Sequence, residues 1–209
     1  MFELCCENTK MLPISLLPLL AANHVLVTYY SSSTGHTKAL AEAIAEGAHK
    51  VVGHDNVKVM PIASVDVEKD AIEWADAIVV GSPVHYGNVA SPVLAWFETS
   101  WAKFWTDPRL DGKVGAAFAT GGGLAQGAEH VLTSIVRLFH SFRIQALSPS
   151  PTRSGYNSYG AIAITGTPPY FNSTAGTIAA EFADSGRDLG ALVANKVKVV
   201  ELGRQKLAL

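Results

Sequence analysis

Short runs of β-branched and apolar residues alternate along this chain with longer stretches of helical periodicity. The runs predict five strands, at residues 25–30, 57–61, 77–81, 114–120 and 143–147. The stretches predict helices near residues 37–50, 67–74, 92–101 and 127–140, and a long closing helix over 177–200. This alternation is typical of a parallel sheet with helices on both faces, the doubly wound α/β architecture.

A polar segment joins the first predicted strand to the first predicted helix. It reads Ser32-Ser33-Thr34-Gly35-His36-Thr37. A helix N-terminus leaves backbone N–H groups without partners, and Ser and Thr hydroxyls add further donors, so the segment is suited to a phosphate group. It contains neither the Gly-Lys-Ser/Thr of the ATP-binding loop nor the G-x-G-x-x-G of dinucleotide folds. A lysine-free phosphate loop and a simple N-capped turn both remain open.

Two further loops are unusual in composition. Ligands of doubly wound sheets bind beyond the carboxyl ends of the strands, so the loops after the first, third and fourth predicted strands should converge. The third strand is followed by Ser82-Pro83-Val84-His85-Tyr86-Gly87-Asn88, and the fourth by Thr120-Gly121-Gly122-Gly123. Glycines allow backbone N–H groups to approach a flat polar ligand. The sequence therefore predicts one site built from three loops.

In this order the motifs resemble those of the flavodoxin-like NAD(P)H:quinone oxidoreductases of the tryptophan-repressor-binding-protein (WrbA) type, over residues 25 to about 196. The matching segments are Tyr29-Tyr30-Ser31, Gly35-His36, residues 82–88, residues 119–123, Phe104-Trp105, residues 110–113 and residues 158–161. The resemblance implies a flavodoxin-like three-layer sandwich with a five-stranded parallel sheet in the order 2-1-3-4-5. Three features depart from the family: His85 stands in place of an arginine, the first loop is one residue longer, and the insertion after the second strand is largely missing.

The same resemblance implies an FMN cofactor, NADH or NADPH as co-substrate, and a quinone that accepts two electrons in a ping-pong cycle. The implied cofactor-binding residues are Ser32, Thr34, Gly35, His36, Thr37, Pro83, Val84, His85, Tyr86, Gly87, Asn88, Thr120, Gly121, Gly122, Gly123 and His140. His85, His140 and Trp105 are the implied catalytic residues, because histidine titrates near neutrality and can supply protons. For both histidines a purely structural role is the alternative.

Aromatic residues are concentrated in one stretch, at Trp96, Trp101, Phe104 and Trp105. Such a cluster is typical of a core or a subunit interface rather than a substrate surface. The resemblance implies a homo-oligomer, dimer or tetramer, in which Trp105 of one subunit reaches the flavin of another. Two other functions stay open: a one-electron carrier, and a flavodoxin-fold scaffold that has weakened or lost FMN binding.

Composition narrows these possibilities. The chain has 209 residues, 48% of them hydrophobic, which suits one domain, placed at residues 24–203 between an N-terminal extension (1–23) and a short tail (204–209). The net charge of -2, without long runs of one sign, favours small-molecule partners over nucleic acid and offers no strongly acidic docking face for a carrier. The seven histidines show no metal-ligand spacing, so no metal is expected.

The N-terminal extension leads to an expectation about location. Its apolar stretch, residues 11–22, is short and interrupted by Pro13 and Pro18, which argues against an integral membrane segment. Cys5 and Cys6 are adjacent and form no disulfide framework. A cytoplasmic protein is therefore expected. A signal peptide, a packed or disordered tail, and acylation of the two cysteines remain alternatives for this extension.

Overall fold

The computed structural model describes residues 23–31, 33–149, 159–166 and 174–207, so the predicted ligand Ser32 and the extension up to residue 22 lie outside it. The strands are Val25–Tyr29 (β1), Val57–Pro61 (β2), Ala77–His85 (β3), Asn88–Val89 (β4), Val114–Gly121 (β5), Gln145–Ala146 (β6) and Gly160–Ile164 (β7). The α-helices are His36–Val52 (α1), Ser91–Trp96 (α2), Ala128–Ser141 (α3) and Ala180–Leu207 (α4). Two π-helical segments lie at Val67–Trp74 and Phe97–Trp101.

The strands form one sheet in the order β2-β1-β3-β5-β6, with β7 also beside β5 and the short β4 folded back on β3. Every pairing is parallel except that of β4. All five residues of β1 are buried, because helices cover both faces of the sheet. The predicted flavodoxin-like α/β fold and its 2-1-3-4-5 strand order are confirmed.

The fifth position of the sheet is shared by two strands. The two-residue β6 pairs with Val114 and Gly115 at the start of β5, while β7 pairs with the second half of β5, from Ala117 to Gly121. The predicted fifth strand at 143–147 is therefore much shorter than expected, and β7 was not predicted at all. An eight-residue buried strand needs partners for all its backbone groups, and β6 alone cannot supply them.

Helices α1 and α4 pack closely on one face of the sheet. A Cβ atom at Gly190 would lie 1.8 Å from the carbonyl oxygen of Ile44, and one at Gly47 would lie 1.9 Å from that of Arg187. Only glycine permits this approach. Helix α4 continues to Leu207, beyond its predicted end at residue 200, and the Arg204 guanidinium donates a hydrogen bond of 2.9 Å to the Asp111 carbonyl.

The opposite face carries α2, the segment Phe97–Trp101 and α3. Their aromatic rings form one cluster with centroids 5.1 to 6.3 Å apart, made by Trp96, Phe97, Trp101, Phe139 and Phe142. Trp96, Trp101 and Phe104 are core residues, whereas Trp105 is 60% exposed. Within the described part of the chain, none of the helices is long and apolar enough to cross a membrane.

Candidate functional site

The loops after β1 and β5 are joined at their base by two threonines. Thr37, in the first turn of α1, and Thr120, near the end of β5, lie with their hydroxyl oxygens 2.8 Å apart. Both side chains are buried. A buried hydroxyl pair of this kind fixes the start of α1 against the glycine-rich loop.

Helix α1 begins without a side-chain cap. Its N-cap is Gly35, with φ of 75°, and it makes no side-chain hydrogen bond to the helix start. The first hydrogen bond of the helix runs from the Ala39 N–H to the Gly35 carbonyl, at 3.1 Å. The N–H groups of the three residues before Ala39 thus lack intrahelical acceptors at the positive end of the helix dipole. This is the local chemistry of an anion site.

The loop after β3 is a tight hairpin. Val84 pairs with Val89 and His85 with Asn88, which leaves Tyr86 and Gly87 as the turn, with φ of 51° and 78°. Two positive φ values are those of a type I′ turn, the geometry that matches the twist of paired strands. The Tyr86 side chain is fully exposed at the tip.

Two contacts hold this hairpin in place. The Ser82 hydroxyl donates to the Pro83 carbonyl at 2.8 Å and accepts from the Ala90 N–H at 3.0 Å, across the base of the hairpin. At its tip, a Cβ on Gly127 would lie 2.5 Å from the Gly87 carbonyl oxygen, so the hairpin touches the N-terminus of α3. The hairpin is therefore braced at both ends.

These loops line a pocket of about 190 Å³ that is open to solvent. Its lining residues are Ser33, Thr34, His36, Pro83, Val84, His85, Thr120, Gly121, Gly122 and Thr165. Of the predicted residues outside this lining, Gly35 and Thr37 belong to the same loop, Tyr86, Gly87 and Asn88 to the hairpin, and Gly123 to the glycine-rich loop. Ser33 belongs to the predicted segment but was not among the implied ligands, and Thr165 was not predicted. Thr165 follows β7, and recognising Gly160–Ile164 as a strand would have placed it at the same edge.

A second unpredicted element contacts the loop between β1 and α1 from outside. In the turn 174–177, the Gly176 N–H donates to the Thr34 carbonyl at 2.7 Å, and the Thr177 carbonyl oxygen lies 2.7 Å from His36 Nδ1. Neither contact leaves a signature in the sequence, because both acceptors are backbone carbonyls.

His140 and Trp105 lie at the opposite edge of the sheet. Helix α3 starts beside the hairpin and has 14 residues, so its last turn, which carries His140, is about 20 Å away. The Trp105 indole donates to the Ser141 carbonyl at 3.0 Å. The structure does not bring these two predicted residues into the pocket of their own chain.

Trp105 is held firmly despite its exposure. The Arg143 guanidinium donates to the carbonyls of Trp105 and Asp107 and, at 2.7 Å, to the Asp111 carboxylate. An apolar cleft of about 320 Å³ lies beside the indole. It is lined by Phe97, Glu98, Ala102, Trp105, Leu138, Ser141 and Phe142. This cleft is larger than the pocket but lacks its converging hydroxyls and helix N-terminus.

The pocket carries little formal charge. Its described lining includes two histidines, His36 and His85, and no Lys, Arg, Asp or Glu. Among the described residues, no cluster of three or more His, Cys, Asp or Glu side chains could hold a metal ion. An anion in this pocket would be bound by dipoles, hydroxyls and, on protonation, by imidazolium groups.

Comparison with known proteins agrees with this geometry. Residues 27–146 match the family described as "Flavodoxin domain". The chain is 32% identical over 169 residues to an NAD(P)H dehydrogenase (quinone) of Chromohalobacter salexigens, covering 68% of this chain and 83% of the relative. It is also 32% identical over 118 residues to a flavodoxin of Aquifex aeolicus, covering 56% of this chain.

The match to flavodoxins is partial: the chain spans 60% and 62% of the lengths of those from Aquifex aeolicus and Clostridium saccharobutylicum. Among solved structures, a flavodoxin, WrbA-like protein from Agrobacterium tumefaciens superposes with a TM-score of 0.64 at 24% identity, over 85% of this chain and 99% of that one. The chain therefore belongs to the flavodoxin-domain family, and its resemblance to the WrbA-like members of that family is confirmed.

Proposed function

We propose that this chain is an FMN-dependent NAD(P)H:quinone oxidoreductase. The observation that carries the proposal is the uncapped N-terminus of α1, which opens among hydroxyl groups into a pocket whose described lining has no lysine or arginine. This donor set fits a phosphate monoester, which backbone N–H groups and hydroxyls can surround. A relative of this chain, of which it covers 83%, is named NAD(P)H dehydrogenase (quinone).

The phosphate and the ring of the cofactor would lie in different parts of the pocket. The loop of Thr34, Gly35, His36 and Thr37 would hold the phosphate. The hairpin from Pro83 to Asn88 and the glycines 121–123 would lie along the ring. A Cβ added at Gly122 meets no atom within 4 Å, so that side of Gly122 is open to a ligand. When bound, the flavin supplies the hydride-accepting and hydride-donating chemistry.

The chain's own contribution is binding, orientation and proton supply. His85 lies at the end of β3, exposed at the pocket, with its ring 6.1 Å from Tyr30 in an edge-on arrangement. It is the one described imidazole on the hairpin and is placed to give a proton to a reduced quinone. Tyr86, exposed at the tip, is placed to cover the mouth of the pocket.

Trp105 and His140 can contact a flavin only in the pocket of another copy of the chain, because the pocket of their own chain lies at the opposite edge of the sheet. We therefore propose a homo-oligomer in which the cleft beside Trp105 faces the pocket of a second subunit. The Arg143 contacts hold the indole ready for this, since an exposed aromatic ring fixed in advance loses little entropy on association.

A visible spectrum tests the proposal directly. The purified full chain is mixed with FMN, freed of excess flavin, and treated under nitrogen first with NADH or NADPH and then with benzoquinone. We expect a bound flavin peak that bleaches with the nicotinamide and returns with the quinone. A colourless protein after gel filtration would contradict the proposal and favour a scaffold that has lost FMN.

A one-electron carrier is the second candidate, because flavodoxins at 32% and 35% identity are also relatives. The net charge of -2 gives this chain no strongly acidic docking face. Steady-state oxidation of NADH or NADPH by benzoquinone separates the two, since a carrier would hold FMN and show no turnover without a reductase.

A further inference from the structure

His36 is held in one orientation by a backbone carbonyl outside its own loop. Its Nδ1 lies 2.7 Å from the Thr177 carbonyl oxygen. A carbonyl can only accept, so Nδ1 carries the hydrogen and donates it. The ring is 9% exposed and lines the pocket next to Thr34. The second ring nitrogen, Nε2, has no hydrogen-bond partner among the described residues.

The turn that supplies this carbonyl is hydrogen-bonded internally and to the loop before α1. Thr177 donates to the Thr174 carbonyl from its N–H at 3.0 Å and from its hydroxyl at 2.7 Å. Gly176 donates to the Thr34 carbonyl, and a Cβ on Gly35 would lie 3.3 Å from the Gly176 Cα atom. Two hydrogen bonds and a close approach of two glycines thus join the turn to the loop, and the imidazole cannot rotate away without breaking its bond to Thr177.

This orientation determines what Nε2 can bind. In the neutral ring Nδ1 holds the only hydrogen, so Nε2 presents a lone pair. A phosphate dianion also presents only lone pairs, so a neutral His36 cannot form a hydrogen bond with it. The protonated ring donates from both nitrogens and would keep its bond to Thr177 while binding the phosphate.

The charged and titratable groups around His36 are few. The hairpin contributes His85, the second histidine of the pocket lining. Helix α1 contributes Lys38, whose ammonium is 3.5 Å from Glu42, and the first turn of α4 contributes Glu181. The glycine-rich loop and the turn 174–177 contribute none. Protonated His36 is therefore the cation that the phosphate loop itself can supply.

We infer that binding of FMN is coupled to proton uptake by His36, with the Thr177 carbonyl as the group that positions the imidazole. The inference rests on the proposed function and adds the charge state in which the pocket recognises its ligand. Affinity for FMN should rise as the pH falls from 8.5 to 6.5. Affinity for riboflavin, which has no phosphate, should not change.

Fluorescence titrations of the full-length apoprotein with FMN and with riboflavin, across that pH range, measure the coupling. For the unmodified chain we expect FMN affinity to increase at least about fivefold on lowering the pH, since uptake of one proton permits up to about tenfold per pH unit. The His36→Asn variant keeps an amide N–H near the position of Nδ1 and lacks Nε2. It should bind FMN with the weak, high-pH affinity throughout, and riboflavin as the unmodified chain does.

Two controls isolate the group that is protonated. His85→Gln should alter both flavins alike and preserve the pH dependence of the FMN-to-riboflavin ratio. Inorganic sulfate, a dianion over the whole range, should compete with FMN more strongly at pH 6.5 than at 8.5, because the protein and not the anion takes up the proton. If His36→Asn fails to fold, the sulfate competition with the unmodified chain still decides.

The outcomes are distinct. The same pH dependence in the unmodified chain and in His36→Asn, or sulfate competition that does not change with pH, would overturn the inference and leave the proposed function intact. Failure of both flavins to bind the unmodified chain would overturn both.

Discussion

Helix α1 carries histidines at both ends, and the two ends differ in what surrounds them. At its N-terminus His36 is buried, is bonded to Thr177 and lines the pocket. At its C-terminus the ring of His49 stacks on His54, with centroids 4.0 Å apart and planes 15° from parallel. The first end of the helix meets an open pocket, and the second meets another histidine.

The helix dipole alone would favour a protonated histidine at the C-terminal end. It favours anions at the N-terminus and cations such as protonated histidine at the C-terminus. Burial nevertheless lowers the pKa of His49, His54 lowers it further by repulsion, and Glu46 acts weakly in the other direction. Local surroundings therefore outweigh the dipole at the C-terminal end, whereas at the N-terminal end the dipole is free to act on a ligand.

The largest effect should come from disturbing the packing of α4 on the middle of α1, because this part of α1 supports both of its ends. Gly190→Ala places a Cβ where the Ile44 carbonyl oxygen lies 1.8 Å away, so α1 and α4 must separate. We expect a loss of about 3 kcal/mol in the free energy of unfolding, measured by urea denaturation. Gly203→Ala in the same helix meets no atom within 4 Å and should be neutral or stabilising by up to about 1 kcal/mol. Equal effects would show that α1 and α4 are not closely packed.

Thr37→Val should act at the N-terminal end alone. The change keeps the shape of the side chain but removes the buried hydroxyl that bonds Thr120 and fixes the start of α1 against the glycine-rich loop. We expect FMN affinity to fall by about fivefold to a hundredfold, since leaving the buried Thr120 hydroxyl unpaired costs about 1–3 kcal/mol and loosens the two loops that line the pocket. Thr99→Val is the control: among the described residues its hydroxyl bonds the Ala95 carbonyl, one turn earlier in α2, and the change should leave FMN titrations unchanged.

Gly35 and Gly53 flank α1, and both have positive φ: 75° with ψ of 0° at Gly35, and 88° with ψ of 159° at Gly53. An L side chain is strained in both regions, so Gly35→Ala should cost about 1–2 kcal/mol of stability and Gly53→Ala about 1–3 kcal/mol. Gly35→Ala should also weaken FMN binding, since its Cβ would lie against Gly176. Gly53→Ala should not weaken FMN binding, because its added Cβ would meet just the Asn56 amide nitrogen within 4 Å, at 3.8 Å. Equal loss of FMN affinity in both would contradict the distinction between the two ends.

The smallest effect concerns pH and the C-terminal end. Because the pKa of His49 is lower in the folded chain than its ordinary value of 6.5, the unfolded chain binds the proton more readily. The contribution of His49 to stability is therefore complete above pH 6.5 and declines as the pH falls below it. His49→Gln should flatten this decline by no more than about 0.5 kcal/mol, because solvent screens the partly exposed ring. Thermal melts of the unmodified chain and of His49→Gln at pH 5.5 and 7.5 measure this effect. If the stability difference between the two pH values is the same in both proteins, groups other than His49 cause the pH dependence.

The sequence predicted best where the pattern was long and local. The strands that became β1, β2 and β5, and the helices α1 and α3, were placed within a few residues, because apolar periodicity over such lengths reports burial directly. Strand β7 was missed because Gly160–Ile164 is short and rich in small residues. Its place is determined by unpaired groups of β5, more than forty residues earlier in the chain.

The loops show the same division. Their residue types indicated an anion site after β1 and a close approach of backbone after β5, since hydroxyls and glycines have these properties wherever they occur. No local pattern distinguished Thr165 or the turn 174–177, which reach the pocket only because β7 and α4 carry them there.

The sequence by itself determined the doubly wound sheet and the unusual composition of the loops after β1, β3 and β5, because periodicity and loop composition are each read from residues close together in the chain. Only the tertiary structure decided that His36 is held by Thr177, that β6 and β7 share one position of the sheet, and that Trp105 and His140 lie far from the pocket of their own chain. These facts depend on contacts between distant segments, and the backbone groups that make such contacts leave no mark in the order of residue types.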